Sequence, residues 1–184
     1  DDNTVNIDPE GIAVASDGGF WVASEGSGTV GDVDRPVTSL NFVFKTDVNG
    51  LIENVITLPD ELNAVQLRFG FEGIAEYNGM AYVAFQRAWN GEAKPRKGIN
   101  DVANATWIYV FYPLETPTSP AGGWVGLSDI TSLGNGEFLI VERDNQGGPD
   151  ARIKRLYKVE IGSAAPNSTL TKELVADLFE PFQE

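Results

Sequence analysis

Glu10, Glu72 and Asp129 each open a short apolar stretch. Each is followed by a second carboxylate or amide, Glu25, Gln86 and Glu142, at separations of 15, 14 and 13 residues. Carboxylates paired at repeated spacing can work as general acid and base, or can share a hard cation. The chain has few other means at its disposal. It contains no His and no Cys, which excludes a Ser-His-Asp triad, an imidazole base, a thiolate nucleophile and a thiolate metal site within it. Crowded carboxylates repel one another unless something cationic stands among them. Ca²⁺, which takes about six to eight oxygen ligands, suits such a ring. Glu10, Glu25, Glu72 and Asp129 are therefore expected as metal ligands, with Ca²⁺ or another divalent ion as the cofactor. The competing reading is structural: the Glu is solvated, and the Gly that follows it in Glu10-Gly11 and Glu72-Gly73 lets strands pack closely.

The positive charge has its own distribution. Arg35, Arg87, Lys94, Arg96, Lys97, Arg143 and Arg152 fall in three long segments, 26–40, 87–106 and 143–152, and make up 7 of the 13 basic residues. If these segments emerge beside the carboxylates, they form a cationic rim on an acidic molecule, suited to a small anionic substrate. Arg87 and Arg143 are the expected substrate-binding residues. Glu142 and Arg143, adjacent at a strand end, are the expected catalytic pair. Ordinary solvated loop charge is the alternative, and it is favoured for Lys94, Arg96 and Lys97.

The elements that must position these groups read as strands. Phe20–Ala23, Phe42–Phe44, Ala81–Phe85, Trp107–Phe111 and Phe138–Val141 are short, aromatic or β-branched, and bounded by Gly, Asn, Asp or Pro. One short helix is expected near Leu58–Val65. Three hairpins line up, turning at Asp17-Gly18-Gly19, Asn78-Gly79 and Asn135-Gly136, each with the chemistry of a tight turn. A third strand is expected after each hairpin, at Asn41–Lys45, Trp107–Tyr112 and Ile153–Val159. A fourth is expected at Leu51–Thr57 and Leu170–Leu178. The fold class is all-β. Repeated four-stranded units predict a β-propeller with blade units at about 7–60, 69–126 and 127–180. Three blades do not close a ring, so a larger ring of about six is expected, completed by other blades of a parent chain or by neighbouring subunits. A compact β-sandwich is the lesser alternative.

The chain has 184 residues and a formal net charge of −14. That surface repels phosphate backbones, so nucleic acid is not expected as a partner. No apolar run approaches the roughly 20 residues of a membrane-spanning helix. A start without Met and an end without a terminal motif read as a processed or truncated piece, and the lack of Cys is compatible with many secreted proteins.

Asp8-Pro9-Glu10-Gly11-Ile12, Phe20-Trp21-Val22-Ala23-Ser24-Glu25, Arg68-Phe69-Gly70-Phe71-Glu72-Gly73-Ile74-Ala75 and Leu139-Ile140-Val141-Glu142-Arg143-Asp144 resemble, in this order, the phytase-like family described as having the esterase-like activity of phytase. The resemblance runs from Ile7 to Val159. It implies a secreted bacterial β-propeller, extracellular or periplasmic, with phosphoesterase or esterase-type activity and dependence on a divalent cation. Two functions are carried forward: a cation-dependent phosphoesterase, and a non-catalytic extracellular propeller used for binding or assembly.

Overall fold

The computed structural model describes residues 6–64, 67–88, 96–101 and 106–179, with 96–101 described by backbone path alone. Among these residues are twelve strands in three four-stranded antiparallel sheets, each formed by consecutive strands. The first sheet holds β1 (Pro9–Val14), β2 (Phe20–Ser24), β3 (Phe42–Thr46) and β4 (Ile52–Thr57). A single helical turn, α1 (Asp60–Asn63), leads to the second sheet. That sheet holds β5 (Phe71–Tyr77), β6 (Met80–Phe85), β7 (Arg96–Asp101) and β8 (Thr106–Phe111). The third holds β9 (Val125–Gly134), β10 (Glu137–Asp144), β11 (Lys154–Glu160) and β12 (Lys172–Asp177).

The hairpins form where the turn residues direct them. Asn78 and Gly79 take φ of 52° and 74°, and Asn135 and Gly136 take 54° and 80°. Two successive positive φ values match the right-handed twist of the flanking strands. The middle sheet departs from the sequence expectation. Residues 96–101, expected within a long loop, are strand β7, and the segment at Trp107–Tyr112, expected as a third strand, supplies the fourth, β8. Arg96-Lys97-Gly98-Ile99-Asn100-Asp101 has neither alternation nor β-branched enrichment; pairing with β6 and β8 on either side sets its conformation.

Two cores hold the three sheets in line. Trp21, Ala23 and Val43 pack with Phe71, Ile74, Val83 and Phe85 between the first and second sheets. Tyr82, Ala84, Val110 and Tyr112 pack with Leu127, Phe138, Ile140 and Val159 between the second and third. Successive residues of β6 thus serve opposite cores, and the strand is apolar without a break because both of its faces are covered. Among the described residues the first sheet is covered on one face only. Across its other face the register aligns Ile12, Val22, Phe44 and Val55 in one apolar row, with Ile12 67% and Val55 54% exposed.

The first strand of each sheet lies against the first strand of the next. A Cβ on Gly11 would stand 2.8 Å from Gly73 Cα, and one on Gly73 would stand 2.7 Å from Asp129 Cα. The Glu-Gly repeat therefore has a packing role: backbone passes backbone with no room for a methyl group. Gly73→Ala is expected to force β5 and β9 apart, costing about 1–3 kcal/mol as overpacking does and lowering Tm by roughly 2–4 °C for each kcal/mol. Calorimetry on the variant checks this. The open apolar row carries a second expectation, that the isolated chain associates through it. Sedimentation at rising concentration should show increasing mass, and Ile12→Lys with Val55→Lys should suppress it; a monodisperse wild-type monomer contradicts it.

Candidate functional site

Each of the three hairpins contains one β-bulge near the start of its first strand. The register shifts between Pro9 and Gly11 against β2, between Phe71 and Gly73 against β6, and between Leu127 and Asp129 against β10. The extra residues are Glu10, Glu72 and Ser128. A bulge breaks the alternation of the strand and re-aims the side chain at that point. One position beyond each bulge, on the opposite strand or its extension, stand Glu25, whose N–H bonds to Asp8 O, Gln86, whose N–H bonds to Gly70 O, and Arg143, which pairs with Gly126. Three equivalent positions thus carry three side-chain pairs: Glu10 with Glu25, Glu72 with Gln86, and Ser128 with Arg143. In the second pair the Gln86 amide donates to the Glu72 carboxylate, and in the third Arg143 Nε donates to Ser128 Oγ.

The pairs act on one another electrically. Burial pushes the Glu72 carboxyl up to about 8, and the charges of Glu10, Glu25 and Asp8 add to the rise against the opposing pull of Arg143. Burial also pushes Glu25 up to about 7, opposed first by the Gly70 N–H, which donates to its carboxylate at 2.7 Å, and supported by Glu10 and Asp8. Glu10 is raised too, by burial and by Asp8, with Arg143 countering. Near neutrality the group therefore retains protons that isolated carboxylates would have lost. Gly70 is fixed in turn by Asn41, which is fully buried and accepts from the N–H groups of Gly26 and Phe71.

The structure brings together Glu10, Glu25, Glu72 and Arg143 from the sequence expectations. It does not bring in Glu142 or Asp129. Arg143 and Glu142 are neighbours on a strand, so their side chains point to opposite faces. Glu142 is fully buried, where it accepts from Tyr112 OH at 2.9 Å, from Glu115 N–H and from Lys172 Nζ at 2.7 Å. It serves as the counter-ion of Lys172 and ties β12 to β10. Asp129 sits one residue past the bulge, accepts from the N–H of Ile130, and lines a cavity of about 240 Å³ between β1, β5 and β9. Ser128 holds the position expected of Asp129. The offset was not visible in the sequence, because a hydroxyl stands where the other two sheets carry Glu.

Among the described residues no three acidic side chains are grouped as a metal site requires. Glu72 is engaged by Gln86 and Glu25 by Gly70, and a positive charge is already supplied to Glu10 and Glu72 by Arg143. This donor set does not fit a calcium cage.

Behind the carboxylates stand two rings and three guanidinium groups. Arg87 lies 4.5 Å from the Phe69 ring and 4.7 Å from that of Trp124, while Arg143 lies 5.7 Å from Trp124 and Arg68 5.2 Å from Phe69. Arg68 also acts on Glu25. Neither Arg68 nor Ser128 was singled out as a site residue in the sequence. The remaining rim cations divide in two. Arg35 pairs with Asp32 of its own loop and Arg152 with the carbonyls of Pro149 and Ala151. Lys94 lies outside the described residues, as do the side chains of Arg96 and Lys97.

No solved structure matches the chain. A curated protein of Arthroderma benhamiae (strain ATCC MYA-4681 / CBS 112371), named "Uncharacterized secreted protein", is 26% identical over 185 residues, covering 80% of this chain and 36% of that protein. The chain thus spans about a third of the length of this relative. Among the described residues no helix is long and apolar enough to cross a membrane. Residues 1–183 match the phytase-like family, described as "Esterase-like activity of phytase", and the chain belongs to that family.

Proposed function

We propose that the protein is an exported hydrolase of anionic esters, of phosphate monoesters in the first place. In this reading the three sheets are blades of a β-propeller whose ring is completed by further blades, which would cover the open face of the first sheet. Export rests on the name of the secreted relative, and ester hydrolysis on the family. The observation that carries the reading is the set of three equivalent bulges, which gather Glu25, Glu72 and Arg143 into one electrically coupled group.

The chemistry follows from the order in which the group holds protons. Glu72, the higher of the two, keeps its proton and acts as the general acid. Glu25 loses its proton first and acts as the base. Water attacks the phosphorus or carbonyl carbon as its proton passes to Glu25. The ester bond breaks, and the leaving oxygen takes the proton of Glu72. Arg143, steadied by Ser128, faces the charge that develops on the non-bridging oxygen. After release Glu25 returns its proton to solvent and Glu72 regains one. Such a pair needs Glu25 ionised and Glu72 protonated, so the rate should peak between about pH 7 and 8.

Glu72→Gln is the decisive variant. On p-nitrophenyl phosphate and p-nitrophenyl acetate it should lower kcat roughly 10²–10⁴-fold, the range for loss of a positioned proton donor. Unchanged turnover in the variant, or no hydrolysis of either ester by the wild type, overturns the catalytic reading; the second result favours a binding module.

The same substitution should act on stability in the opposite direction. A carboxyl raised in the folded state from 4.5 to about 7 or 8 stabilises the fold fully below its unfolded value, and this contribution is lost as pH rises through the folded value. The wild type should therefore lose Tm between about pH 4.5 and 8, and Glu72→Gln should flatten that loss and melt higher at the alkaline end. Melting curves across this window check the sign. Ligation of Ca²⁺ by Glu10, Glu25, Glu72 and Asp129 has no part in this mechanism. A chelator should leave rate and Tm unchanged, and a calcium-dependent rise in Tm would restore those four as ligands.

A further inference from the structure

Arg87 stands apart from the other guanidinium groups of the site. Arg143 is tied to Ser128 and acts on Glu10 and Glu72, and Arg68 acts on Glu25. Arg87 instead lies in the V between two rings whose centroids are 5.8 Å apart at 62°, with its guanidinium carbon within 4.7 Å of both. Among the described residues its guanidinium meets no carboxylate or carbonyl oxygen. Partial burial holds its pKa below the usual arginine range, since the cation loses water and no described carboxylate stands against it in return. Such a cation is costly unless an anion comes to it.

The wedge that holds it is built rigidly. Phe69 sits at φ 59°, a conformation uncommon for a bulky residue and kept only where the surroundings enforce it. Its carbonyl accepts from the N–H of Arg87 at 3.3 Å. Trp124 exchanges two hydrogen bonds with Asn145, donating its N–H to Oδ1 at 2.9 Å and accepting from the N–H of Asn145 at 3.0 Å. Its indole lies over Gly126, where a Cβ would come within 2.8 Å of the ring. Both rings are thus set before any ligand arrives, and the π-faces hold the flat of the guanidinium while leaving its N–H edge for hydrogen bonding. The neighbouring residue, Gln86, is 7% exposed, and its Oε1 finds no hydrogen-bond partner among the described residues although its amide nitrogen is bonded to Glu72.

We propose that Phe69, Arg87 and Trp124 form an oxyanion subsite, in which the edge of Arg87 receives the charge that the substrate already carries, on the oxygens of a phosphate or carboxylate group. The proposal rests on the hydrolase reading and gives it a specificity residue: esters bearing an oxyanion are held more tightly than neutral ones. Arg143 keeps the reacting oxygens; Arg87 fixes the substrate's own charge.

Inorganic phosphate is the probe, with acetate as the carboxylate arm and chloride at equal ionic strength as the control. Added to the whole chain, phosphate should raise Tm and change tryptophan emission saturably, since Trp124 touches the bound guanidinium. Arg87→Gln should weaken phosphate binding at least about tenfold, the order expected when a charge-assisted pair is lost, and Arg87→Lys should do so while keeping the charge. Arg152→Gln should leave binding intact. In hydrolysis, Arg87→Lys should raise KM for p-nitrophenyl phosphate by a similar factor with kcat within about threefold, and leave p-nitrophenyl acetate unaffected. Glu72→Gln should still bind phosphate, so loss of chemistry and loss of the subsite are separable. If Arg87→Gln does not fold, the lysine variant and the wild-type emission decide. No response of the wild type beyond that to chloride, or equal phosphate binding by Arg87→Lys, overturns the proposal. A response to acetate alone assigns the subsite to carboxylates.

Discussion

Everything in this molecule depends on how closely β1, β5 and β9 approach one another. At Gly11 and Gly73 the backbone of one sheet passes the backbone of the next with no space for a side chain. That contact fixes the spacing of the sheets, and the two aromatic cores fill what the spacing leaves. It also sets the site. The bulge residue immediately precedes the glycine in the first two sheets, so the strand that must come closest to its neighbour is also the one that turns a carboxylate out of the ladder. Close packing and placement of the acid groups are one arrangement seen from two sides.

The cost of that arrangement is electrostatic. Carboxylates brought together under partial burial retain protons, and the groups that would be most useful as acid and base are those that resist ionisation in the fold. Arg143 and Arg68 relieve part of the repulsion without abolishing it. The site is polarised rather than neutralised, which is the condition for proton transfer near neutrality. The ionic cluster around Lys172 solves a different problem. Glu142, Glu115 and the rings of Tyr112 and Tyr157 surround a single ammonium group, and its work is to attach an outer strand.

Much of the fold was legible because the turns carry their own chemistry. Asn78-Gly79 and Asn135-Gly136 mark hairpins whatever surrounds them, and the apolar strands beside them alternate or run unbroken according to how many faces are covered. Strand β7 was not legible, since a strand held by partners on both sides needs no pattern of its own. In the site, spacing brings out Glu10, Glu25 and Glu72, whereas in the third hairpin the equivalent positions are held by Ser128 and Arg143, each next in sequence to Asp129 and Glu142. A bulge leaves no composition signal, and shifting a strand by one position exchanges its faces. The aromatic wedge was half visible: Arg87 and Trp124 stood out as residue types, but the left-handed Phe69 that brings them together has no signature in the chain.

Because the three bulges are equivalent in backbone, the identities of the side chains at them are independent of the scaffold that presents them. One hairpin offers an acid facing an acid, the second an acid facing an amide, and the third a hydroxyl facing a guanidinium. A single-residue exchange at any of these places would change the charge and hydrogen bonding offered there, on a backbone bulge that is the same in all three hairpins. The architecture therefore behaves as a rack of interchangeable sockets, and members of such a lineage can diverge in chemistry by drift at a handful of codons without first having to solve the problem of folding again.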